Sequence, residues 1–426
     1  MSVQNGSSAL RDSIHNNIYQ LLQQPNDAGI CKPFIDQLVD KLAAVTGISA
    51  EFDMNDWQNA DLASGVAISP VQAAKCVKEN LRTQIFLKGV HQCFQDKLSQ
   101  QESINVLYAG TGPYGTLVVP LLHLFRADQV KLWLLDIHPQ NIESLKLLIN
   151  ELGVSDRVAF IGIADATCWQ PDGNVTFDVL VSETMTALLA REPQVSIFSH
   201  LQHYLADDGE LIPQQIVLGT ELAAADSSGL SPIELGSFFQ LNRKTCRAIA
   251  AGNCSCLKGV IPLPDEFSTL NYQTVSFTTD IQVYRDNWLR KNQCSLNMPL
   301  SHNGLKLVKG SEIRFEYIFS DLPGYAFDIP REILPESLPS ELESGRLGVS
   351  GLKRFWHKMR LLRDNQLSQS VIEAEFQTDR ELLDSLSLDY LQALSFVCQW
   401  QPDFSDFEDW VAAQTKPNNH NDEIHE

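Results

Sequence analysis

The sequence predicts an α/β fold: a doubly wound parallel sheet, preceded by N-terminal helices and followed by a C-terminal β-rich, barrel-like domain. Three observations predict it. Residues 1–100 place apolar side chains at three- and four-residue spacing, the period of amphipathic helices. From 104 to 213, short apolar runs alternate with helical stretches, the rhythm of a parallel sheet buried on both faces. After Pro213 the alternation stops, and β-type segments follow one another between polar turns.

In the N-terminal region (1–100) IYQLL, PFIDQLVDKLAAVTG and VQAAKCVKENLRTQIFLKGVHQCF read as helices. Ser69 and Pro70 suit the start of the last one, serine as cap and proline in the first turn. In the central domain (101–213) INVLYAG is a strand ending in glycine, followed by a helical stretch through LVVPLLHLF. VKLWLLD is a second strand and PQNIESLKLLINELG a helix with glycine just past its end. RVAFIGIAD and FDVLVSE are two more strands, VSIFSHLQHYL a helix, and Asp207, Asp208 and Gly209 a turn. In the β-rich domain (214–330) IVLGTELAAA, TVSFTTDIQVY, CSLNMPL, LKLVKG and EIRFEYIF are β-type segments. A mixed, partly helical extension (331–412) contains GLKRFWHKMRLLRD, which reads as a solvated amphipathic helix whose five basic residues pair with local acids. Residues 413–426 read as a disordered tail.

A net charge of −21 argues against a general nucleic-acid or anionic-membrane binder, because both need positive surface. No apolar run approaches the ~20 residues that span a bilayer, and MSVQNGSSALRDS lacks the basic and apolar regions of a secretion signal. The expected address is cytoplasmic. The nine cysteines are scattered without a CxxC pair, so they read as reduced, mostly buried thiols, with no metal site.

The chemistry starts at AGTGPYG, where Gly110, Gly112 and Gly115 follow a strand and precede a helical stretch. Glycines there permit a tight turn and a close approach of backbone to ligand. Asp136 ends the second strand about 20 residues on, where a carboxylate accepts ribose hydroxyls. Asp165, after the third strand, stands where it meets an adenine amino group. A nicotinamide dinucleotide and S-adenosylmethionine compete for such a Rossmann-like site. The helical prelude, the acid after the third strand and the acidic loop after the fourth favour S-adenosylmethionine. Its sulfonium and ammonium groups suit carboxylates, and it carries no pyrophosphate.

After the fourth strand comes VSETMTALLARE, with Glu183 and Glu192 nine positions apart. Two carboxylates brought together repel, and one tends to keep its proton, unless a cation lies between them. A guanidinium or ammonium acceptor would satisfy both. Glu192 also suits the start of the next helix, beside Pro193, where the helix dipole favours an acid.

On these residues the chain resembles the protein arginine methyltransferase family, whose double-glutamate loop begins Ser-Glu and has its second glutamate nine residues later. KENLRTQIFLKG resembles the family's helix before the glycine motif, LADDGELIPQQ its exit from the cofactor domain, and LKLVKGSEIRFEY a hairpin of its β-barrel. The similarity spans roughly residues 70–320. It implies that Arg82 grips the cofactor carboxylate, that Glu183 and Glu192 are the catalytic pair, and that a homodimer forms. The family's aromatic-rich N-terminal motif is missing near ADLASGVAISP. Its threonine-histidine-tryptophan loop has a counterpart only in Asp286, Asn287 and Trp288, and Tyr108–Ala109 stands where the family carries an acid.

The expectation is an S-adenosylmethionine-dependent methyltransferase acting on a cationic or nucleophilic acceptor, a guanidino or amino nitrogen of a protein or peptide. A small-molecule N- or O-methyltransferase is the second reading, and a non-catalytic cofactor-binding protein the third.

Overall fold

The computed structural model describes residues 2–51, 59–224 and 229–330, and C-terminal to these 351–352, 355–356, 358–360, 379–399 and 404–414. The chain divides into two compact units, Met1–Glu332 and Ile333–Glu426.

In the first unit, helices α1 (Ser2–Gln23) and α2 (Ala28–Thr46) form a pair. Asp27 caps α2 by accepting from Ile30 N at 2.9 Å, and Gly47, at φ 72°, ends it in the left-handed region. A small antiparallel hairpin follows, β1 (Ala60–Leu62) and β2 (Gly65–Ala67). The expected helix from Val71 to Phe94 is two helices, α3 (Pro70–Cys76) and α4 (Asn80–Leu98). Ser69 caps α3 as the sequence suggests. The break at Val77–Glu79 contains neither glycine nor proline; it is held by Thr83 Oγ1 donating to the Val77 carbonyl at 2.9 Å.

The five-stranded sheet comprises β3 (Ile104–Ala109), β4 (Val130–Asp136), β5 (Val158–Ile163), β6 (Phe177–Ser182) and β7 (Leu205–Ile212). Its order is β5-β4-β3-β6-β7 with every pairing parallel. The crossovers through α5 (Pro139–Leu152) and α6 (Gln194–Leu201) run in opposite directions along the sheet, so the right-handed rule puts these helices on opposite faces. Gly153 terminates α5 at φ 68°, as read from sequence.

Two local expectations are corrected here. LVVPLLHLF contributes only a 3-10 turn, Val119–Leu124, because Pro120 removes one amide donor and restricts the residue before it. Asp207–Gly209 is not a turn. It lies within β7 as a bulge, the pairing jumping from Phe177–Leu205 to Val179–Glu210. Arg243 donates to the Ala206, Asp207 and Gly209 carbonyls, and Lys97 binds Asp208, so the bulged backbone stays satisfied.

The β-rich segments form two antiparallel sheets. One joins β8 (Gln215–Ala223), β9 (Ile233–Asn242), β11 (Thr274–Tyr284), β12 (Asn287–Leu289) and β13 (Leu300–His302). The other joins β10 (Lys258–Pro262), β14 (Glu312–Ile318) and β15 (Gly324–Asp328). Aromatic rings join them: Phe277 of β11 stacks on Phe327 of β15 with centroids 3.7 Å apart. Among the described residues the ladders do not close into a barrel. The segment also holds a helix, α7 (Arg243–Ala250). CSLNMPL is mainly a 3-10 turn, Ser295–Asn297, and LKLVKG is no strand; the hairpin is β14–β15 instead.

The second unit has its own apolar cluster, including Phe355, Trp356, Met359, Leu383 and Phe407, with helices at Tyr390–Val397 and Phe404–Gln414. Lys353, Arg354 and Arg363 of the basic segment lie outside the described residues, as do 415–426 of the tail. Lys358 makes a buried ion pair with Asp379, and the Arg360 guanidinium lies 4.9 Å from the Trp356 ring centroid.

All nine cysteines are free, but only Cys31, Cys93 and Cys246 are buried; Cys168 and Cys254 are exposed. Among the described residues there is no metal-ligand cluster, and no helix is long and apolar enough to cross a membrane.

Candidate active site

Strand order reverses between β3 and β6, and in open α/β sheets ligands bind beyond the carboxyl ends of strands at such a point. A cavity of about 330 Å3 lies there, lined by Arg82, Gly110, Gly112, Asp136, Asp165, Glu183 and Glu192. Of the eight residues predicted for the site only Gly115 is absent from its wall. At φ 54°, a Cβ on Gly115 would sit 2.7 Å from Leu145 Cδ1 and 2.8 Å from Val119 Cγ2. Its missing side chain lets the turn pack against α5.

The turn after β3 is organised by Asp136. Its Oδ2 accepts from Gly112 N at 2.8 Å and Thr111 Oγ1 at 3.4 Å; its Oδ1 accepts from His138 N and Asn141 Nδ2, both at 2.9 Å. A carboxylate has about four lone-pair sites; three N–H donors fill three of them, and the single Thr111 hydroxyl proton is shared with the Gly112 carbonyl at 3.1 Å. Burial pushes the Asp136 carboxyl up while these donors pull it down. Asp136 thus orders the turn while standing on the cavity wall, where the sequence places it. The groups left for a ligand beside it are His138 Nε2 and Asn141 Oδ1, both buried without a partner and both on residues of the cavity wall. Such orphaned atoms call for a partner. Asp165 Oδ1 holds its own loop, accepting from Thr167 N at 2.9 Å and Thr167 Oγ1 at 2.7 Å.

Opposite stand the charges. Arg82 Nη2 donates to Glu183 Oε2 at 2.5 Å, and Nη1 donates to Glu79 Oε1 at 2.9 Å. These use two of the guanidinium's five N–H donors. Glu79, which the sequence reading missed, is tied down by Ser295 N at 2.8 Å and Ser295 Oγ at 2.6 Å. Its i,i+3 spacing to Arg82 was the available signal. Glu183 Oε1 is buried and unpaired. Burial raises the Glu183 carboxyl, while Arg82 pulls it down. Burial, and then the charge on Glu183, push Glu192 up to about 8. Glu192 precedes α6 and also lines the cavity.

The loop between the two glutamates is strained. Leu188, Leu189 and Arg191 all have left-handed φ, 58°, 55° and 67°, which costs non-glycine residues about 1–2 kcal/mol each. The rest of the fold grips it. Leu188 N donates to Thr279 Oγ1 at 2.9 Å, and the Tyr317 hydroxyl donates to the Leu189 carbonyl at 3.2 Å. Arg191 N donates to the Pro323 carbonyl at 2.6 Å, while Val66 N of the hairpin donates to the Arg191 carbonyl at 2.7 Å. The hairpin, unforeseen in the sequence, supplies Leu62, Val66 and Ala67 to the cavity wall. Gly65 makes its approach feasible, because a Cβ there would lie 2.9 Å from the Arg191 carbonyl oxygen.

Asp286–Trp288 is no part of the site. Trp288 lies under Arg290, 3.7 Å from ring centroid to guanidinium; Ser295 and Leu296, further along the same connection, line the cavity instead.

No protein-family model matches the sequence, and no curated protein matches it. Solved structures with a similar outline include the Trypanosoma brucei PRMT1 enzyme–prozyme heterotetrameric complex with AdoHcy, at 12% identity and TM-score 0.41, spanning 60% of this chain and 92% of that one. Arabidopsis thaliana protein arginine methyltransferase 10, in an open conformation, is similar at 12% identity and TM-score 0.41, spanning 60% of this chain and 94% of that one. Likeness this distant carries no weight for the chemistry.

Proposed function

We propose that the chain is an S-adenosylmethionine-dependent methyltransferase acting on a guanidino or amino nitrogen of a protein or peptide. One observation supports this above the others. At a strand-order reversal, a buried carboxylate already paired with arginine keeps a second oxygen unpartnered, and a second buried carboxyl lies near enough to feel its charge.

Bound S-adenosylmethionine supplies a methyl group activated by its sulfonium. The polar atoms beside the glycine turn fit an adenosine: Asn141 Oδ1 and His138 Nε2 await partners, and Asp136 fixes the backbone they sit on. Arg82 has N–H donors to spare for the cofactor's carboxylate. What the chain does is align and desolvate. Glu183 Oε1 accepts an N–H of the acceptor and orients its lone pair. Glu192 completes the pair and takes up a proton as the nitrogen is alkylated. A small-molecule amine acceptor is the second reading, favoured by the apolar wall of Leu62, Val66 and Ile68.

The test is incubation of the full chain with radiolabelled S-adenosylmethionine and cell extract, beside Glu183→Gln. Label in the protein fraction, dependent on Glu183, supports the first reading. Label confined to small molecules supports the second, and no incorporation by the wild type, despite cofactor binding, overturns both.

A further inference from the structure

We propose that Thr279 and Tyr317, in the two β-sheets outside the cofactor domain, are positioning residues that hold the Glu192 carboxyl at the cavity wall by pinning Leu188 and Leu189. The inference rests on the methyltransferase reading of the cavity and adds the part that the β-rich segment plays in it.

A run of left-handed, non-glycine residues does not persist unless its surroundings over-determine it. Four hydrogen bonds supply that constraint, and their donors and acceptors come from three separate places: the β1–β2 hairpin, strand β11, and the β14–β15 hairpin with its turn. Two of the four are backbone to backbone. The other two use hydroxyls of buried side chains, Thr279 at 1% and Tyr317 at 5% exposure. Thr279 is itself fixed, because Asn297 Nδ2 donates to its carbonyl at 2.6 Å, and Asn297 lies in the turn that sends Ser295 to Glu79. Strand β11 and the turn after β12 thus hold both sides of the charge cluster: Glu79 and Arg82 through Ser295, Glu192 through Leu188. Neither hydroxyl lines the cavity, so they act through the loop and not on a ligand.

The decisive variants are Thr279→Val, which keeps the shape and removes the acceptor, Thr279→Ser, which restores it, and Tyr317→Phe. Each is measured for kcat, for affinity toward S-adenosylhomocysteine, and for melting temperature across pH 5–8 without ligand. The expectation is a loss in kcat of about 10-fold or more for Thr279→Val, a smaller loss for Tyr317→Phe, and recovery to within about 2-fold for Thr279→Ser. Affinity for S-adenosylhomocysteine stays at the wild-type level. The pH dependence of melting flattens in Thr279→Val, because a released Glu192 regains solvent. Folded Thr279→Val and Tyr317→Phe proteins with wild-type kcat overturn the proposal. So does a parallel loss of kcat and cofactor affinity, which marks a general structural role. If the wild type transfers no methyl group, the functional reading fails by itself, and the melting profile alone decides: flattening supports the pinning, and an unchanged profile overturns it.

Discussion

The two walls of the cavity are built on different length scales. The wall of the glycine turn is local: Asp136 reaches Gly112, His138 and Asn141, partners no more than 24 positions away. The wall carrying the glutamates is assembled from distant parts. Leu188 meets Thr279 across 91 positions, Leu189 meets Tyr317 across 128, and Glu79 meets Ser295 across 216. A locally built wall keeps its geometry whatever is attached to the sheet. A wall braced from elsewhere can be altered through segments remote from the cavity.

The sharpest way to separate the walls is Glu183→Gln. It should lower kcat on the order of 100- to 10,000-fold, the range for losing a group that handles the proton. Calorimetric affinity for S-adenosylhomocysteine should stay within a few-fold of wild type. A matching collapse of that affinity would mean the two walls are one site, and the comparison would break.

The second test lies within the local wall. Gly115→Ala should destabilise the fold by roughly 2–3 kcal/mol, from overpacking against buried Leu145 and Val119 plus left-handed strain. Gly112→Ala has room, its nearest neighbour being Ala73 Cβ at 3.5 Å. It should cost about 1 kcal/mol of stability and chiefly weaken cofactor binding. Denaturant melts and cofactor titrations of the pair check this; equal stability losses would contradict the packing role of Gly115.

The same division in scale explains what the sequence made legible. Gly110, Gly112, Asp136, Asp165 and Glu183 each end or follow a strand whose apolar run is plain, so the sheet and its cavity could be placed. β14 was equally readable, because Ile313, Phe315 and Tyr317 alternate with exposed residues. Its partner and its sheet were not, since pairing depends on residues far away. The break between α3 and α4 carries no glycine or proline to announce it. The β1–β2 hairpin has strands of three residues each, too short for a period. Asp207–Gly209 has turn chemistry but is spent on a bulge, whose satisfaction by Arg243 no local pattern encodes. The packing that Gly115 permits was hidden for a related reason, since only the position of Leu145 shows what the missing side chain makes room for.

The mildest perturbation is a change of pH, and it acts on the braced wall alone when Glu192 is the variable. An unfolded glutamate titrates near 4.3, while in the fold Glu192 is pushed up to about 8 by burial and by Glu183. Between those values the folded state binds more protons than the unfolded state, so stability without ligand should fall as pH rises. Below pH 4 the residue is protonated in both states and adds no slope; above pH 8 the penalty is complete and constant. Its size should be on the order of 1–2 kcal/mol once relaxation and water entry are allowed for. Glu192→Gln should remove this share and be the more stable protein at pH 8.5, with the difference vanishing near pH 4; thermal melts across that range measure it. A cationic acceptor reverses the logic, since pairing with Glu192 favours its ionised form and expels the proton. Binding at pH 6.5 should therefore release up to about one proton, read by calorimetry in buffers of different ionisation enthalpy. Proton uptake, or no exchange at all in a wild type that does bind its acceptor, would show that the charge entering the cavity is not met by Glu192.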